Sequence, residues 1–444
     1  MTSRDPKRPA VRGIFGGRVL VLGAARSGRA AGRLLVAQGA QVTLYDRNPD
    51  ALRDLDFPAE TVSGAQSPDW DAFDVVVQSP GVPAQAHPKL MPEVDLAALA
   101  LAEQRWICVT GSNGKSSVTT LIGEMLRHAG ARVAVGGNIG TALCALVDEP
   151  CDVVVAELSS FQLEHASKLH PRVAVLLNLA PNHLDRHPDV ASYGAAKERL
   201  AQLQHGGDGD RLVVNLDDEW ARSVASRAPA PVLGASLHSG QGVDAWIEDG
   251  RLRIVVQRHD WLDLAVSDLS PAIRRYPLNG LTAALAAYAA GVRRDVSHVL
   301  KTFVGLPHRA QHVAEIRGVT YVNDSKATSP AAAIGSFESE VAPVVWLLGG
   351  VNKGVDLRVL IPCARRARAV ITFGRAGDEI ARALEGIPSV TRVTGLADAV
   401  REATTRAHKG DVVLLAPACA SFDEFRSFED RGDHFAEYVR SLPC

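Results

Sequence analysis

Unbroken runs of Val, Leu and Ile, each passing into a Gly-rich or polar turn and then a helical stretch, constrain this 444-residue chain more than anything else in it. The first is "RVLVLGAARSGRAAGRLL", Arg18 to Leu35, followed by "QVTLYD" ending at Asp46 and "DVVVQSPGVP" from Asp74 to Pro83. Later come "DVVVAEL", "RVAVLLNL" and "RLVVNLDD", then "VTYVND", "PVVWLLGG", "RAVITFG" and "DVVLLAPA". Runs without polar alternation suit parallel strands buried on both faces. Parallel neighbours need crossover connections, normally helices. An α/β fold follows. A chain of this length exceeds one ordinary core. The pattern restarts three times, which predicts three α/β domains at residues 1–92, 93–305 and 306–444. The polar, alternating stretch from Ser236 to Arg275 predicts a small antiparallel excursion of the central domain.

Hydrophobic residues make up 46% and charged residues 22% of the chain, with a formal charge of −2 and no long basic run. Broad nucleic-acid binding, which needs clustered cations, is not expected. Six scattered cysteines without a C-x-x-C pair argue for reduced thiols rather than a disulfide framework or zinc knuckle. The opening "MTSRDPKRPAVRG" is basic but lacks an apolar h-region, so it reads as a tail and not a signal peptide. No apolar run approaches the ~20 residues that span a bilayer. A cytoplasmic protein without membrane insertion is expected.

The strongest local motif is "TGSNGKSS", placed after an apolar strand and before a helix whose Val118, Leu121, Ile122, Met125 and Leu126 share one face. Gly111 and Gly114 allow backbone N–H groups of Gly111, Ser112, Asn113, Gly114 and the following Lys115, Ser116 and Ser117 to wrap phosphate oxygens at a helix N-terminus. Lys115 would neutralise β/γ-phosphate charge and Ser116 would offer a hydroxyl to Mg²⁺. The bland alternative is a Gly-rich turn with a surface lysine. Strand before and amphipathic helix after disfavour it.

In open α/β sheets ligands lie outside the carboxyl ends of strands. There "VVVAELSSFQLE" delivers Glu157, Ser159, Ser160 and Gln162, and "VAVLLNLAPNHLDRH" delivers Asn178, Asn182, His183 and Asp185. A carboxylate and an imidazole facing a triphosphate suit a hard cation that keeps some of its waters. The first block, with Gly23, Gly28 and an acid at Asp46, resembles a dinucleotide fingerprint, but Ala25 replaces the glycine that would admit a pyrophosphate.

"TGSNGKSS", "GGNIG", "ELSSFQLE", "PNHLDRH", "YGAAKERL", "LPHRAQHV", "VNDSKATSP", "LLGG..K" and "APACASFDEF..FEDRG" occur in the order found in Mur ligases, the ATP-dependent amide-forming enzymes of peptidoglycan synthesis. The chain resembles the glutamate-adding branch of that family over almost its whole length. The resemblance implies a Rossmann-like N-terminal domain for the UDP-sugar, a central P-loop ATPase with a mainly parallel sheet, and a Rossmann-like C-terminal domain for the amino acid. It implies ligation of D-glutamate to UDP-N-acetylmuramoyl-L-alanine through an acyl phosphate, with ATP and two Mg²⁺ sites, by a monomer. Carried over residue by residue, Ser27, Asp46, Arg47, Ser79, Gly81 and Asn138 align with UDP-sugar contacts. Asn138 also joins Lys115, His183 and Lys197 among the catalytic positions. Asn279, Arg309 and Asp324 align with ATP contacts beyond the loop itself. Ser116, Glu157, His183 and a carbamylated Lys197 align with metal ligands, and Lys326, Thr328, Lys353, Ser421 and Phe428 with the glutamate site. Without the resemblance, Lys197 would read as a surface helix lysine.

The chain departs from the family pattern at Leu278 and Thr282, which flank Asn279, at Asn182, where Asp is common, and at Ala416, where Ser is common. The alternatives within the superfamily are a Mur-type amide ligase adding a different amino acid, L-glutamate included, and a folylpolyglutamate synthetase, which normally lacks a domain before the P-loop. A P-loop switch or motor has no use for "NDSKATSP" and "ACASFDEF". An NAD-dependent oxidoreductase is disfavoured by Ala25.

Overall fold

The computed structural model describes residues 16–83, 87–181, 183 and 186–443. The basic opening segment, Asn182 and Asp185 lie outside the described residues. The chain divides into two compact units, Met1–Leu269 with Tyr276–Thr302, and Ser270–Arg275 with Phe303–Cys444.

The first unit holds two sheets. β1 (Arg18–Leu22), β2 (Gln41–Asp46), β3 (Glu60–Ser63), β4 (Val75–Gln78) and β5 (Leu90–Pro92) pair in parallel in the order β3-β2-β1-β4-β5. The chain leaves β1 toward one edge and returns for β4 on the other side. A crevice opens where the order reverses, at the carboxyl ends of β1 and β4.

The second sheet comprises β6 (Arg105–Thr110), β7 (Val133–Gly137), β8 (Val153–Glu157), β9 (Pro171–Leu176), β10 (Arg211–Asn215), β11 (Val232–Ala235), β12 (Ala245–Glu248), β13 (Arg251–Val256) and β14 (His259–Ala265), in the order β14-β13-β12-β11-β10-β9-β6-β8-β7. β6 to β11 run parallel, whereas β12, β13 and β14 form the antiparallel excursion read from the alternation. β6 sits between β8 and β9, so the P-loop leaves at a second reversal of order. Helix Lys115–His128 seals that sheet with Val118, Leu121, Ile122, Met125 and Leu126, each at most 2% exposed.

In the second unit, β15 (Gln311–Ile316), β16 (Val319–Asn323), β17 (Val344–Gly349), β18 (Ala369–Phe373), β19 (Val390–Arg392) and β20 (Val412–Ala418) take the order β15-β16-β20-β17-β18-β19, parallel except for β15. Its strands bury both faces. Val322, Trp346, Leu348, Val370 and Leu414 enter one core; Tyr321, Val345, Leu347, Ile371, Val413 and Leu415 enter the other. This two-residue alternation between two buried layers is why the runs show no regular polar alternation.

Candidate active site

The P-loop follows β6 and is held by its neighbour. The Ser112 N–H donates to the Asn178 carbonyl at 2.8 Å and the Asn113 N–H to Asn178 Oδ1 at 2.8 Å. Gly114 precedes helix Lys115–His128 with φ +81°, and a Cβ there would stand 2.7 Å from Asn279 Oδ1. Glycine is therefore required both by the left-handed backbone and by the approach of Asn279. Lys115 Nζ donates to the Gly111 and Ser112 carbonyls at 2.9 and 2.8 Å. Ser117 is half-buried in the first helical turn.

At the end of β8, the fully buried Glu157 accepts from Ser116 Oγ at 2.5 Å and from Asn138 Nδ2 at 2.8 Å. Asn138 is itself placed by its N–H, which donates to the Glu157 carbonyl at 2.9 Å. Lys197 is 1% exposed, on helix Val190–Gln202, and Nζ donates to the Gly111 carbonyl at 2.8 Å. Burial, reinforced by the nearby charge of Lys115 and opposed by Glu157, lowers its pKa from 10.5 to about 6. The amine is thus mostly neutral at pH 7. Nζ also lies 4.5 Å over the Tyr193 ring.

His183, exposed and with φ +55°, packs edge-on against Phe161 at 5.0 Å between ring centres and lies 6.0 Å from Tyr193. His187, buried, touches the same two rings and its Nε2 is 3.0 Å from Ser160 Oγ. Tyr193 therefore backs both His183 and Lys197.

In the first sheet, Asp46 accepts the N–H groups of Ala24 at 2.8 Å and Asn48 at 2.9 Å. Asp46, Arg47 and Gly81 line a cavity of about 700 Å³ with Gly23, Tyr45 and Trp70. Ser79 is buried behind that lining, its Oγ donating to the Gly23 carbonyl at 3.1 Å, and Ser27 is half-buried in the first turn of helix Arg26–Ala37. Of the six predicted UDP-sugar residues, the cavity gathers three, leaving Ser27, Ser79 and Asn138 outside its lining.

In the second unit the candidate residues collect at the carboxyl ends of β16, β20 and β17. Lys326 Nζ lies 5.4 Å over the Phe428 ring. Ser421 is 2% exposed. The Val351 N–H donates to the Ala420 carbonyl at 2.7 Å and the reverse bond is 3.0 Å, which sets the segment bearing Lys353 beside Ser421. The Thr328 N–H donates to the Lys326 carbonyl at 2.8 Å. The Asp324 N–H donates to the Leu415 carbonyl at 2.8 Å, and burial pushes its carboxyl above the usual range, partly offset by Arg309 and Arg275.

A family model described as the Mur ligase middle domain matches residues 109–259, and one described as Mur ligase, glutamate ligase domain, matches residues 308–419. The UDP-N-acetylmuramoylalanine–D-glutamate ligase of Pelotomaculum thermopropionicum is 40% identical over 447 residues, covering 96% of this chain and 98% of its own. The chain belongs to the Mur ligase family. The ligase of the same name from Myxococcus xanthus is 39% identical over 97% of this Mur ligase and 99% of its own chain. The crystal structure of MurF ligase from Thermotoga maritima in complex with ADP shares the fold, with a TM-score of 0.58 at 17% identity over 90% and 95% of the two chains.

Several side chains that organise this Mur ligase site were not singled out from the sequence. Arg26 donates to the Gly140 and Gly137 carbonyls at 2.5 and 3.3 Å, bracing the loop that carries Asn138. Glu93, 1% exposed, accepts the Cys144 N–H at 3.1 Å, and burial pushes its carboxyl up to about 7. Asp95, equally buried, accepts from the Ser167 N–H and hydroxyl and from the Lys168 N–H. Acidic positions inside an otherwise apolar helix were the available signal. Lys197 was a candidate through the resemblance, but its burial also had a signal in spacing: Tyr193, Lys197 and Leu200 share the i, i+4, i+7 face that is buried.

Proposed function

We propose that this Mur ligase joins D-glutamate to UDP-N-acetylmuramoyl-L-alanine, driven by ATP and through an acyl phosphate, in cytoplasmic assembly of peptidoglycan precursors. The observation that carries this reading is the buried Ser116, Glu157 and Lys197 around a P-loop, with Asn138 held to Glu157, in a chain matched over 96% of its length by a D-glutamate ligase. The residues divide as 1–92 for the UDP-sugar, 93–305 for ATP and 306–444 for the amino acid.

A carboxylate oxygen is a poor leaving group, so amide formation needs activation. The alanyl carboxylate attacks the γ-phosphorus of ATP; the new O–P bond forms as the bond to ADP breaks. The glutamate amine then attacks the acyl carbon, phosphate departs, and the amine's surplus proton leaves to solvent. Two anions meet in the first step, so positioned cations and N–H groups matter most. Lys115 and the loop N–H groups of Gly111 to Ser117 hold the phosphates. Asn138, fixed by Glu157, orients the reacting group.

Among the described residues no three His, Cys, Asp or Glu side chains gather as a metal cage. A hard cation that keeps most of its waters needs only one or two such ligands, and the hydroxyl of Ser116 beside the carboxylate of Glu157 is an oxygen donor set of that kind. These two, with His183, would hold Mg²⁺, which when bound would neutralise charge on the transferring phosphoryl group. The neutral Nζ of Lys197 is competent to attack carbon dioxide, forming an N–C bond and losing a proton, which would place a carbamate beside this group. Lys326, Thr328, Lys353, Ser421 and Phe428 receive glutamate, whose two carboxylates need paired cations and hydroxyls on leaving water.

The test is release of ADP and phosphate by the purified protein with a panel of amino acids. Turnover should require both UDP-N-acetylmuramoyl-L-alanine and D-glutamate. Vigorous hydrolysis with neither, or equal use of L-glutamate, would refute the reading.

A further inference from the structure

Arg431, in the "FEDRG" segment, is the largest buried cation of the second unit and has no part in the chemistry described above. It is 0% exposed, on helix Phe428–Arg440, whose start is capped by Ser427 Oγ accepting the Asp430 N–H at 3.2 Å. Its guanidinium holds three separate chain segments. Nε donates to Ser325 Oγ and Nη2 to the Ser325 carbonyl, both at 2.9 Å. Nη1 donates to the Cys419 carbonyl at 3.1 Å and the Gly349 carbonyl at 3.4 Å.

Each gripped segment bears a candidate glutamate residue: Lys326 follows Ser325, Ser421 lies two positions past Cys419, and Lys353 lies four past Gly349. Phe428 precedes Arg431 by three positions on one helix, hence on the same face. The packing has no slack. A Cβ on Gly350 would meet the Ala420 carbonyl oxygen at 2.0 Å and Arg431 Nη1 at 3.0 Å.

All the acceptors are neutral. Asp423 and Glu424 act on Arg431 only at longer range, and their carboxylates accept the N–H groups of Arg375 at 2.8 Å and Leu396 at 3.3 Å. Burial lowers the guanidinium pKa only to about 10, so the charge persists at pH 7. A buried cation that no contacting anion neutralises is expensive to keep. A field that attracts an anionic substrate is one use that offsets that cost.

We propose that Arg431 is a positioning residue that locks the three glutamate-binding segments in register, and that its charge, which no carboxylate contacts, favours an acidic amino acid over a neutral one. This rests on the assignment of the second unit as the glutamate site.

The experiment is steady-state kinetics of the full chain and of Arg431→Met and Arg431→Lys, varying ATP, UDP-N-acetylmuramoyl-L-alanine and D-glutamate in turn, with D-glutamine as the neutral competitor substrate. Hydrogen bonds from a charged donor set the scale, so Arg431→Met should raise the KM for D-glutamate about 10- to 100-fold. The KM values for ATP and the UDP-sugar should stay within about twofold. Preference for D-glutamate over D-glutamine should fall in Arg431→Met and be largely kept in Arg431→Lys, which retains charge but not the fork. If Arg431→Met does not fold, Arg431→Lys decides: a raised D-glutamate KM with an unchanged thermal midpoint supports the proposal. An unchanged D-glutamate KM in Arg431→Lys, or equal increases for all three substrates, overturns it. Wild-type turnover that ignores glutamate would instead overturn the site assignment itself, and this proposal with it.

Discussion

Replacing Lys197 with Met removes a buried amine whose protonation the fold resists, and the consequence is measurable without substrate. The folded pKa is about 6 against the usual 10.5. Between those values the unfolded chain binds a proton that the folded chain does not, so this lysine makes stability rise with pH. Its cost is complete below about pH 6 and vanishes above about pH 10.5. Within the window each pH unit changes the wild-type stability by about 1.4 kcal/mol relative to a chain lacking the group. From pH 7 to pH 9 the difference, wild type minus Lys197→Met, should therefore grow by about 2.7 kcal/mol in favour of wild type. The same difference starts negative, because at pH 7 the variant is spared about three quarters of the penalty. Urea unfolding of both proteins at several pH values, in metal-free and carbon-dioxide-free buffer, reads it directly. Titrating groups that do not act on Lys197 cancel in the subtraction. Parallel stability curves for the two proteins would show that Lys197 keeps an ordinary pKa, and would remove the basis for a neutral, carbamate-forming amine.

Lys115→Ala should lower substrate-dependent ADP release at least about 100-fold through lost phosphoryl stabilisation, while calorimetric binding of the UDP-sugar stays unchanged; equal loss of both would contradict their assignment to separate sheets. Asp95→Ala removes the buried carboxylate that accepts the partly buried N–H groups of Ser167 and Lys168. That should cost about 2 kcal/mol in urea unfolding, and a change under 1 kcal/mol would refute the role. Gly28→Ala puts a Cβ 1.7 Å from the Gly23 carbonyl oxygen, pushing the helix off the turn beside the cavity. A destabilisation of about 2 kcal/mol is expected, with weaker UDP-sugar binding by calorimetry; retention of both would show that the turn yields freely.

Much of this molecule is written locally. The apolar runs became β1, β6, β16 and their neighbours because a strand buried on both faces carries apolar side chains at nearly every position, and this needs no knowledge of partners. "TGSNGKSS" became a strand, loop and helix start because φ at Gly111 and Gly114 is open only to glycine-like backbones. Helix ends followed the same logic: Asp189 accepts the Ser192 N–H at 2.7 Å to start the helix that carries Lys197. The alternation after Ser236 was likewise legible as β12, β13 and β14.

What surrounds a side chain is another matter, since it depends on segments far apart in the chain. Lys197 meets the Gly111 carbonyl 86 positions away, and Arg431 meets Ser325 across 106. A lysine and an arginine in amphipathic helices look alike whether they face water or the interior. Sequence determined the strands, the phosphate loop and the order of the domains, because those rest on backbone sterics and apolar periodicity. Only the tertiary structure decided that Glu157 would hold Ser116 and Asn138 at once, that Lys197 would lose its charge and that Arg431 would keep its own, because desolvation and hydrogen-bond closure are set by neighbours that folding alone brings together.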